Sequence, residues 1–562
     1  MEVGGRDSGV ALAELVGAFS LATDLGLGQP MEHVLRSWVI AARLGEHVGL
    51  ELDDRDALFY VATLAWVGCV ADTPEVAAVF SDDIAFRHDY YQVDLAGLPM
   101  LGFMLRRIGA GHPPLHRLRL AANLVATGGK AIERGLMSHC LTTAQMAERL
   151  GLDDRVCRPL QQVFTRWDGK GVPGRVGGED IALSMRLFQL ADTVEVHHRA
   201  DGTEGAVAVA RARRGKHFDP SVVDAFCQVA GEVLDDPAHE PDWRSLVEAE
   251  PSLQRRLTES QLDAALEAIA DFTDLRSAPR AGHSRCVAEL AGRAAECAGL
   301  PDAAVTTVRR AGLVHDIGLH GLPATILDKP GPLSASESER MRMHAYYTER
   351  MLARPEPLAR IGAIASVANE RCDGSGYHRG LTGVAIPVTG RLLAGACAFC
   401  AMTEPRPYRP PLTAKQATDA LHAEVRAGHL DAGAVDAVLT AAGQHRSKRQ
   451  SGPAGLTPRE IEVLTLIARG ASTRQVAQRL SITPKTAETH IERIYAKTGA
   501  STRSTATLFA MQHGLLDTLE PFDSGAPTIR QGSMRGGCAA GRVGCGGPSS
   551  RRGRRRGRRL VV

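Results

Sequence analysis

The stretch AGLVHDIGLHGLPATILDKPGPLS (residues 311–334) contains the dipeptide His315-Asp316, and its distance from other motifs reveals a repeat. His283 lies 32 residues before His315, and His33 lies 32 residues before Ala65 in the segment LAWVGC. Two more spacings recur, of 29 residues (His139 to Asp168, and His344 to Asp373) and of 24 residues (Asp168 to Asp192, and Asp373 to Cys397). Three shared spacings indicate two homologous copies in tandem.

The first copy carries about 45 extra residues, because Trp66 precedes His139 by 73 positions whereas Asp316 precedes His344 by only 28. Apolar residues recur at helical period in segments such as LTESQLDAALEAIADFTDL (residues 257–275), and strand-like alternation is scarce. The sequence therefore predicts an all-α protein. We expect a first copy at 10–235, a linker at 236–257, a second copy at 258–445, a linker at 446–454, a C-terminal module at 455–518 and a disordered tail at 519–562.

Composition limits the class of protein. The chain has 562 residues, of which 44% are hydrophobic and 23% charged, which excludes a wholly disordered or fibrous chain. A run of about 18 uncharged apolar residues does not occur, and Met1–Ser8 lacks the order of a signal peptide, so we expect no membrane partner. Eleven cysteines without a regular framework suit a reducing cytoplasm.

Charge is unevenly distributed along the chain. The net charge is only +2, but residues 455–516 contain eight basic and four acidic side chains. The tail, residues 531–562, is rich in Gly and Arg and would either bind nucleic acid without sequence preference or have no role. This asymmetry favours a sensor joined to a nucleic-acid-binding module.

Residues 283–443 resemble the HD-GYP branch of the HD phosphohydrolase superfamily. The motifs that carry the resemblance are GHSRCVAELA (282–291), residues 311–334, ERCDGSGYHRGL (370–381) and RPYRPPLTAKQA (406–417). The resemblance implies a helical fold and hydrolysis of cyclic di-GMP at a bi- or trinuclear metal centre. Clustered His and Asp side chains suit this chemistry because they bind transition metals, which generate hydroxide near neutral pH.

The resemblance makes His283, His315, Asp316 and His344 the metal-ligand positions for a divalent ion, with His315 and Asp316 also catalytic. Four positions depart from the family pattern: Ala368-Asn369 replace a His pair, Cys397 replaces a late Asp, Leu319 replaces a Lys and His378 replaces the Pro of GYP. We therefore expect at least one metal to be lost. Alternatively, His315 and Asp316 are only a buried, hydrogen-bonded pair.

Two cysteines have two interpretations. Cys397 and Cys400 lie one helical turn apart, where the family has acidic residues. They are either small core residues or part of a zinc or redox site that uses Cys397.

The first copy is degraded at different positions. It keeps His33, His139 and Asp192, but Ala65-Trp66 occupy the place of the His-Asp dipeptide. We expect Trp66 to fill the metal cavity with apolar volume and this copy to bind no metal. A composite site shared by both copies would require the retained ligands to meet across an interface.

The segment 455–516 contains the signals of four short helices. Thr457 with Glu460 forms a capping box, Gly470 ends the first helix and Thr483-Pro484 begin the third. This segment resembles the LuxR/NarL-type helix-turn-helix domain over about 60 residues. The resemblance makes residues 484–497 the recognition helix and assigns dimerisation to a fourth helix at 504–513.

The recognition helix supplies the candidate DNA contacts: Lys485, Thr486, Glu488, Thr489, His490, Arg493 and Lys497. The cations would neutralise phosphates, Thr489 and His490 lie near the groove-facing side, and Glu488 would accept from a cytosine amino group. One short helix contacts few base pairs, so we expect a homodimer on double-stranded DNA.

Two functions remain open from the sequence. The first is a DNA-binding transcriptional regulator whose HD-GYP-derived body senses a ligand such as a nucleotide or forms the dimer. The second is a metal-dependent phosphohydrolase with an accessory DNA-binding domain. The intact helix-turn-helix segment supports the first, and His315-Asp316 support the second.

Overall fold

The computed structural model describes residues 7–51, 54–93, 97–109, 113–126, 130–174, 176–234, 243–443 and 453–517. These residues are mainly helical, which confirms the predicted fold class. The tail at 519–562 and most of the predicted linker at 446–454 lie outside the described residues. One two-stranded antiparallel sheet joins β1 (Asp7–Ala11) to β2 (Arg256–Thr258). Part of the segment 236–257, predicted as a linker, is therefore regular structure.

The first copy contains eleven helices within its described residues. They are α1 (Leu12–Gly26), α2 (His33–His47), α3 (Arg55–Leu64), α4 (Cys69–Phe80), α5 (Asp83–Tyr90), α6 (Gly97–Arg107), α7 (Pro114–Ala126), α8 (Lys130–Arg149), α9 (Asp154–Leu160), α10 (Leu183–Arg213) and α11 (Pro220–Leu234). The extra residues of this copy form α4 to α7. Helix α10 is kinked at Gly202, whose φ is 68°.

The second copy repeats this order without the insertion. After α12 (Trp243–Ala249) come α13 (Glu259–Asp274), α14 (His283–Cys297), α15 (Asp302–Val314), α16 (Ala324–Leu327), α17 (Ala335–Met351), α18 (Glu356–Ala365), α19 (Val388–Thr403), α20 (Ala414–Arg426) and α21 (Ala432–Ala442). His33 and His283 each begin their helix. In both copies an aspartate nine residues earlier accepts a hydrogen bond from the backbone N–H of the next residue (Asp24 from Val34 and Asp274 from Ser284).

The two copies pack directly on each other. The Asp83 carboxylate is fully buried and accepts from Arg276 of the second copy at 3.1 Å and from Arg87 of the first at 2.8 Å. The backbone N–H of Ala324 also donates to Asp83, at 2.9 Å. A buried carboxylate satisfied from both sides fixes the relative position of the copies, since leaving it unpaired would be costly.

The C-terminal module is a four-helix unit of α22 (Pro458–Ala468), α23 (Thr473–Arg479), α24 (Pro484–Thr498) and α25 (Arg503–Gln512). Thr457 and Glu460 form the predicted capping box. Within the described residues, the segment Arg55–Phe80 is long and apolar enough to cross a membrane, but 89% of its most apolar window is buried inside the protein. It belongs to the core.

Candidate metal site and nucleic-acid interface

The second copy brings its four retained ligand positions together around one carboxylate. His283 begins α14, His315-Asp316 follow α15, and His344 lies in α17. The Nε2 atoms of His315, His344 and His283 lie 3.3, 3.6 and 3.8 Å from the Asp316 carboxylate oxygens. All four side chains are buried. Three imidazoles therefore converge on Asp316.

Each imidazole is oriented by a partner on its other nitrogen. Nδ1 of His315 donates to the carbonyl of Gly312 at 2.8 Å, and Nδ1 of His344 to that of Met341 at 2.6 Å. Nδ1 of His283 donates to the Glu404 carboxylate at 2.8 Å. Such second partners are typical of metal-binding histidines because they leave Nε2 as the lone-pair donor.

The imidazoles are in the neutral state that metal binding requires. Burial and the positive charge of Arg280 lower the pKa of His344 to about 4. Burial also lowers the pKa of His283 to about 4, although Glu404 opposes this shift. The pKa of His315 falls well below its usual value for the same reason of burial, with His283 adding to the effect.

Cys397 in α19 completes the cluster. Its Sγ atom lies 3.6 Å from Nε2 of His315, and the ligand atoms of His283, His315 and Cys397 lie within 4.8 Å of one another. Burial raises the pKa of the Cys397 thiol to about 11, so a bound cation would have to displace its proton. Two imidazoles and the resulting thiolate would make a donor set for a cation such as Zn²⁺. The residues present therefore fit one ion, with His283, His315 and Cys397 as its holders and Asp316 beside them.

A second ion finds a poorer set of partners. The family's His pair is replaced by Ala368, which is buried, and by Asn369, whose side-chain amide donates to Nε2 of His344 at 3.1 Å. That bond engages the nitrogen that would otherwise bind the metal. The geometry at these positions therefore does not fit the multinuclear centre that the family resemblance implies.

Sequence reasoning missed an arginine at the centre of this cluster. Arg280 is the last residue of a short helical turn between α13 and α14. Its guanidinium contacts the Asp316 carboxylate directly. An ion at this position would compete with Arg280 for Asp316. The only sequence signal is that Arg280 lies three residues before His283.

The second missed residue is Cys286, and it changes the interpretation of the C-x-x-C pair. Cys400 points toward Cys286, with a distance of 2.7 Å between the sulfur atoms, whereas Cys397 faces His315. The two cysteines of the motif therefore have different neighbours. Cys286 lies three residues after His283 in the motif GHSRCVAELA, and that spacing gave no indication of this pairing.

The first copy contains a buried ion cluster at the position of the metal site. His33 Nδ1 lies 2.5 Å from Glu195, and His33 Nε2 lies 3.1 Å from Asp192. The Trp66 indole N–H also donates to Asp192, at 3.1 Å. Burial alone would lower the pKa of His33, but the Glu195 and Asp192 carboxylates outweigh it and raise the pKa to about 10. A protonated imidazole cannot bind a metal ion.

His139 lies apart from these carboxylates. Its Nε2 atom pairs with the carbonyl oxygen of Ala65 at 2.8 Å, and its ring packs edge-on against Trp66 and Phe164. The retained residues of the two copies are thus organised around separate centres, each within its own copy.

In the C-terminal module, α24 presents an exposed polar face. Lys485, Thr486, Glu488 and Arg493 are exposed, and Thr489 and His490 are half-buried. Ala487 and Ile494 point into the core of the module. An exposed face of this kind leaves the helix accessible to a DNA groove.

Lys497 is placed differently from the prediction. Its ammonium group donates to the buried Glu460 carboxylate at 2.7 Å and to the carbonyl of Gly455 at 3.0 Å. The Lys497 hydrogen bond, with the capping bond from Thr457, lowers the pKa of Glu460 to about 2. This arrangement revises the predicted phosphate contact, because the charge of Lys497 is already compensated inside the module.

Lys497→Ala is therefore expected to affect the stability of the module, and Lys485→Ala to affect DNA binding. Lys497→Ala should lower the free energy of unfolding of the module by about 1 kcal/mol, since it removes a charge-assisted bond at the helix cap, and should leave the salt dependence of DNA binding unchanged. Lys485→Ala should leave stability unchanged and reduce the salt slope by about one. Urea unfolding and salt-titrated binding measure both, and identical slopes for the two variants would contradict the assignment.

The fourth helix, α25, packs against the body. Thr502 at its N-cap and Ser138 of α8 share a hydrogen bond of 2.7 Å, and the backbone N–H of Gly282 donates to the Met511 sulfur at 3.1 Å. Thr505 and Met511 are buried. In this arrangement part of the helix expected to dimerise is covered by the chain's own body.

Comparison with known proteins agrees with this architecture. The family model described as HD domain matches residues 130–222 and 267–433, one range in each copy. The model described as bacterial regulatory proteins, luxR family, matches residues 454–510. The chain therefore contains HD-domain sequence in each copy and a luxR-type helix-turn-helix domain at residues 454–510.

Curated relatives are similar over different shares of the chain. A 3'3'-cGAMP-specific phosphodiesterase 3 of Vibrio cholerae is 28% identical over 71% of this chain and 87% of its own length. A cyclic di-GMP phosphodiesterase of Thermotoga maritima is 39% identical, over 28% of this chain and 44% of its own length. The crystal structure of a V. cholerae cyclic GMP-AMP phosphodiesterase is similar in fold, with a TM-score of 0.55, 24% identity, and coverage of 79% of this chain and 99% of that one.

Proposed function

We propose that this chain is a DNA-binding transcriptional regulator in the cytoplasm, whose two HD-type copies form a sensory body. The observation that carries the proposal is the exposed polar face of α24, with Lys485 and Arg493 outward, in a domain that matches the luxR family. The body supports a sensing role because its first copy has a protonated His33 and a tryptophan at the positions of a metal site.

We propose that DNA is bound by two chains on a symmetric site, with Lys485, Thr489 and Arg493 as the main contacts. The affinity of one recognition helix is small, so specificity requires two half-sites about one helical turn apart. Because α25 is covered by the body, the dimer contact would come from the HD-type copies or would require α25 to leave the body. Analytical ultracentrifugation with and without a selected DNA site separates these cases.

A second candidate function is supported by the convergence of three imidazole Nε2 atoms on Asp316 and by the cluster of His283, His315 and Cys397. An ion bound there would lower the pKa of a bound water and polarise a phosphodiester. The relatives described as phosphodiesterases motivate cyclic di-GMP and 3'3'-cGAMP as substrates to test. The roles of His283, His315 and Cys397 would be to hold the ion, and Arg280 would contribute positive charge beside a phosphate.

We expect the purified chain to hold at most one metal ion per chain and to hydrolyse cyclic di-GMP at least about 100-fold more slowly than a complete relative. The reason is the loss of the His pair at Ala368-Asn369 and the replacement of a carboxylate by Cys397, since two-metal clamps supply several kcal/mol of transition-state stabilisation. Elemental analysis and a turnover assay with added manganese measure both quantities. His315→Ala is the negative control, and two or more ions per chain with turnover at the relatives' level would contradict this prediction.

A further inference from the structure

The inserted helices of the first copy enclose a cavity of about 520 Å³ beside the former metal site. One side is formed by Trp66, Phe164 and Asp192, which are residues of the repeat itself. The other side is formed by α4 to α8, including Val76, Tyr90 and Met104. A volume of this size is typical of sites for drug-sized ligands.

Aromatic rings make up much of the cavity wall. Trp66 lies edge-on to Tyr91 and Phe164, with ring centroids 6.3 and 5.8 Å apart, and Phe86 stacks on Phe80 at 4.0 Å. All five side chains line the cavity. Walls of this kind favour a planar, largely apolar ligand because aromatic pairs stack or meet edge to face.

One end of the cavity is basic. Its lining includes Arg166, Lys170 and Arg213, and Arg166 is paired with Asp168 at 3.1 Å. The carboxylates that line the cavity are Asp72 and Glu75 of α4 and Asp192 of α10. Two loops meet there, because the backbone N–H of Trp167 donates to the carbonyl of His217 at 3.0 Å and that of Asp168 to Lys216 at 2.9 Å. These bonds hold the cationic side chains of both loops at the same end.

His217 adds a second, independent indication of a ligand. Its side chain is only 7% exposed, it lines the cavity, and its Nδ1 atom has no hydrogen-bond partner among the described residues. Burial, reinforced by Arg213 and Arg166, lowers the pKa of His217 to about 3, so the ring is neutral. A buried polar atom without a protein partner has room for a hydrogen bond from a bound molecule or water.

We propose that the first copy is a binding site for a small planar aromatic molecule that carries one anionic group, held with its rings against Trp66 and Phe164 and its anion at His217, Arg166 and Arg213. A carboxylate and a phosphate share this chemistry. The proposal deepens the sensory role of the body, on which its regulatory meaning rests, but the binding itself is measured without DNA.

The position of the cavity connects it to the DNA-binding module. Helix α4 contributes Glu75 and Val76 to the cavity, and its Pro74 and Glu75 also line a cleft of about 400 Å³ together with Arg503 and Thr507 of α25. One helix therefore borders both the proposed ligand and the module. A ligand that shifts α4 would alter this contact, and the effect on affinity would be reciprocal.

The test uses the full chain and 8-anilinonaphthalene-1-sulfonate, an aromatic anion, in calorimetric titration. We expect one saturable site per chain. Gly135→Leu should weaken binding at least about tenfold, because Gly135 lines the cavity and a Cβ atom there meets nothing within 4 Å, so the added side chain extends into open space. Gly102→Leu is the matched control, since Gly102 is also helical and open but does not line the cavity.

Further variants and probes test the anionic end. His217→Ala should weaken the affinity for the sulfonate probe by about three- to tenfold. Lys216→Ala, at an exposed neighbouring residue, should change this affinity less than twofold. N-phenyl-1-naphthylamine, which lacks the sulfonate, should bind more weakly to the wild-type chain and equally to His217→Ala. Comparing 1-naphthoate with 1-naphthyl phosphate identifies the preferred anion.

Unchanged binding in Gly135→Leu, with a melting temperature equal to wild type, would overturn the cavity as the site. Binding of the neutral probe as tightly as the sulfonate would overturn the anionic end. DNA affinity of the same variants, measured separately without probe, shows whether the proposed regulator function stands or fails independently of the cavity.

Discussion

Lys485→Glu combined with Arg493→Glu is expected to abolish sequence-specific DNA binding, with a loss of affinity of about 100-fold or more. Each residue is exposed on the outer face of α24. Each lost contact to a phosphate or base costs about 1–3 kcal/mol, and 1.4 kcal/mol corresponds to a factor of ten. Reversing both charges also introduces repulsion from the DNA backbone. The measurement is a fluorescence-anisotropy titration against a selected site and a scrambled site.

The matched control is Lys415→Glu with Arg426→Glu on α20, which makes the same change in net charge at two exposed positions of the body. It should leave the affinity within about threefold of wild type. If both double variants lost affinity equally, the effect would come from net charge rather than from α24. If a chain ending at Ser451 bound the selected site as well as the full chain, the module would not be the DNA reader.

His33→Ala is expected to destabilise the first copy by about 3–5 kcal/mol. The imidazole of His33 lies between the buried carboxylates of Glu195 and Asp192, and its loss leaves Asp192 with the Trp66 indole as its remaining close donor. Removing one partner of a buried ion pair leaves an uncompensated charge, which carries a cost of this size. Urea unfolding followed by tryptophan fluorescence measures it, since Trp38, Trp66 and Trp167 all lie in this copy.

The destabilisation should depend on pH in a defined direction. The folded-state pKa of His33 is raised to about 10, so its contribution is complete below about 6.5 and is lost as the pH rises toward 10. The folded-state pKa of Glu195 is lowered to about 2 by His33 and Arg36 against the opposing effect of burial, so its contribution is complete above about 4.5 and is lost as the pH falls. The difference between wild type and His33→Ala should therefore be largest between about pH 4.5 and 6.5.

His47→Ala provides the control for this experiment. His47 lies at the end of the same helix, and its side chain is 41% exposed. The variant should change the free energy of unfolding by less than about 0.5 kcal/mol. A His33→Ala effect below 1 kcal/mol, or one that is constant from pH 4 to pH 9, would show that His33 is not held as a buried cation.

The repeat could be predicted in detail because it shows as equal spacings between matching residues along the chain. Equal distances from His33 to Ala65 and from His283 to His315 require no knowledge of packing. The structure adds Asp24 and Asp274, which precede the two histidines by nine residues and accept the same backbone hydrogen bond. This landmark was visible in the sequence, but its role depends on a contact between two helices.

The helix-turn-helix segment was predictable for a similar reason. Capping boxes and turn glycines act over three or four residues, so Thr457, Glu460 and Gly470 determine their local structure wherever the module lies. The contacts of Lys497 could not be predicted from local sequence. Its outward position on a helical wheel indicates solvent, whereas the folded module places Glu460, 37 residues earlier in the chain, within 2.7 Å.

By itself, the sequence determined the helical class, the tandem copies, the His and Asp residues retained in each copy and the presence of a DNA-binding module, because each depends on local pattern or on distance along the chain. Only the tertiary structure decided that Arg280 contacts Asp316, that Cys400 faces Cys286, that α25 packs on the body and that the inserted helices leave a cavity beside Trp66. Each of these features joins residues that are distant in sequence or belong to different elements. Their proximity follows from how whole helices pack, which no local spacing specifies.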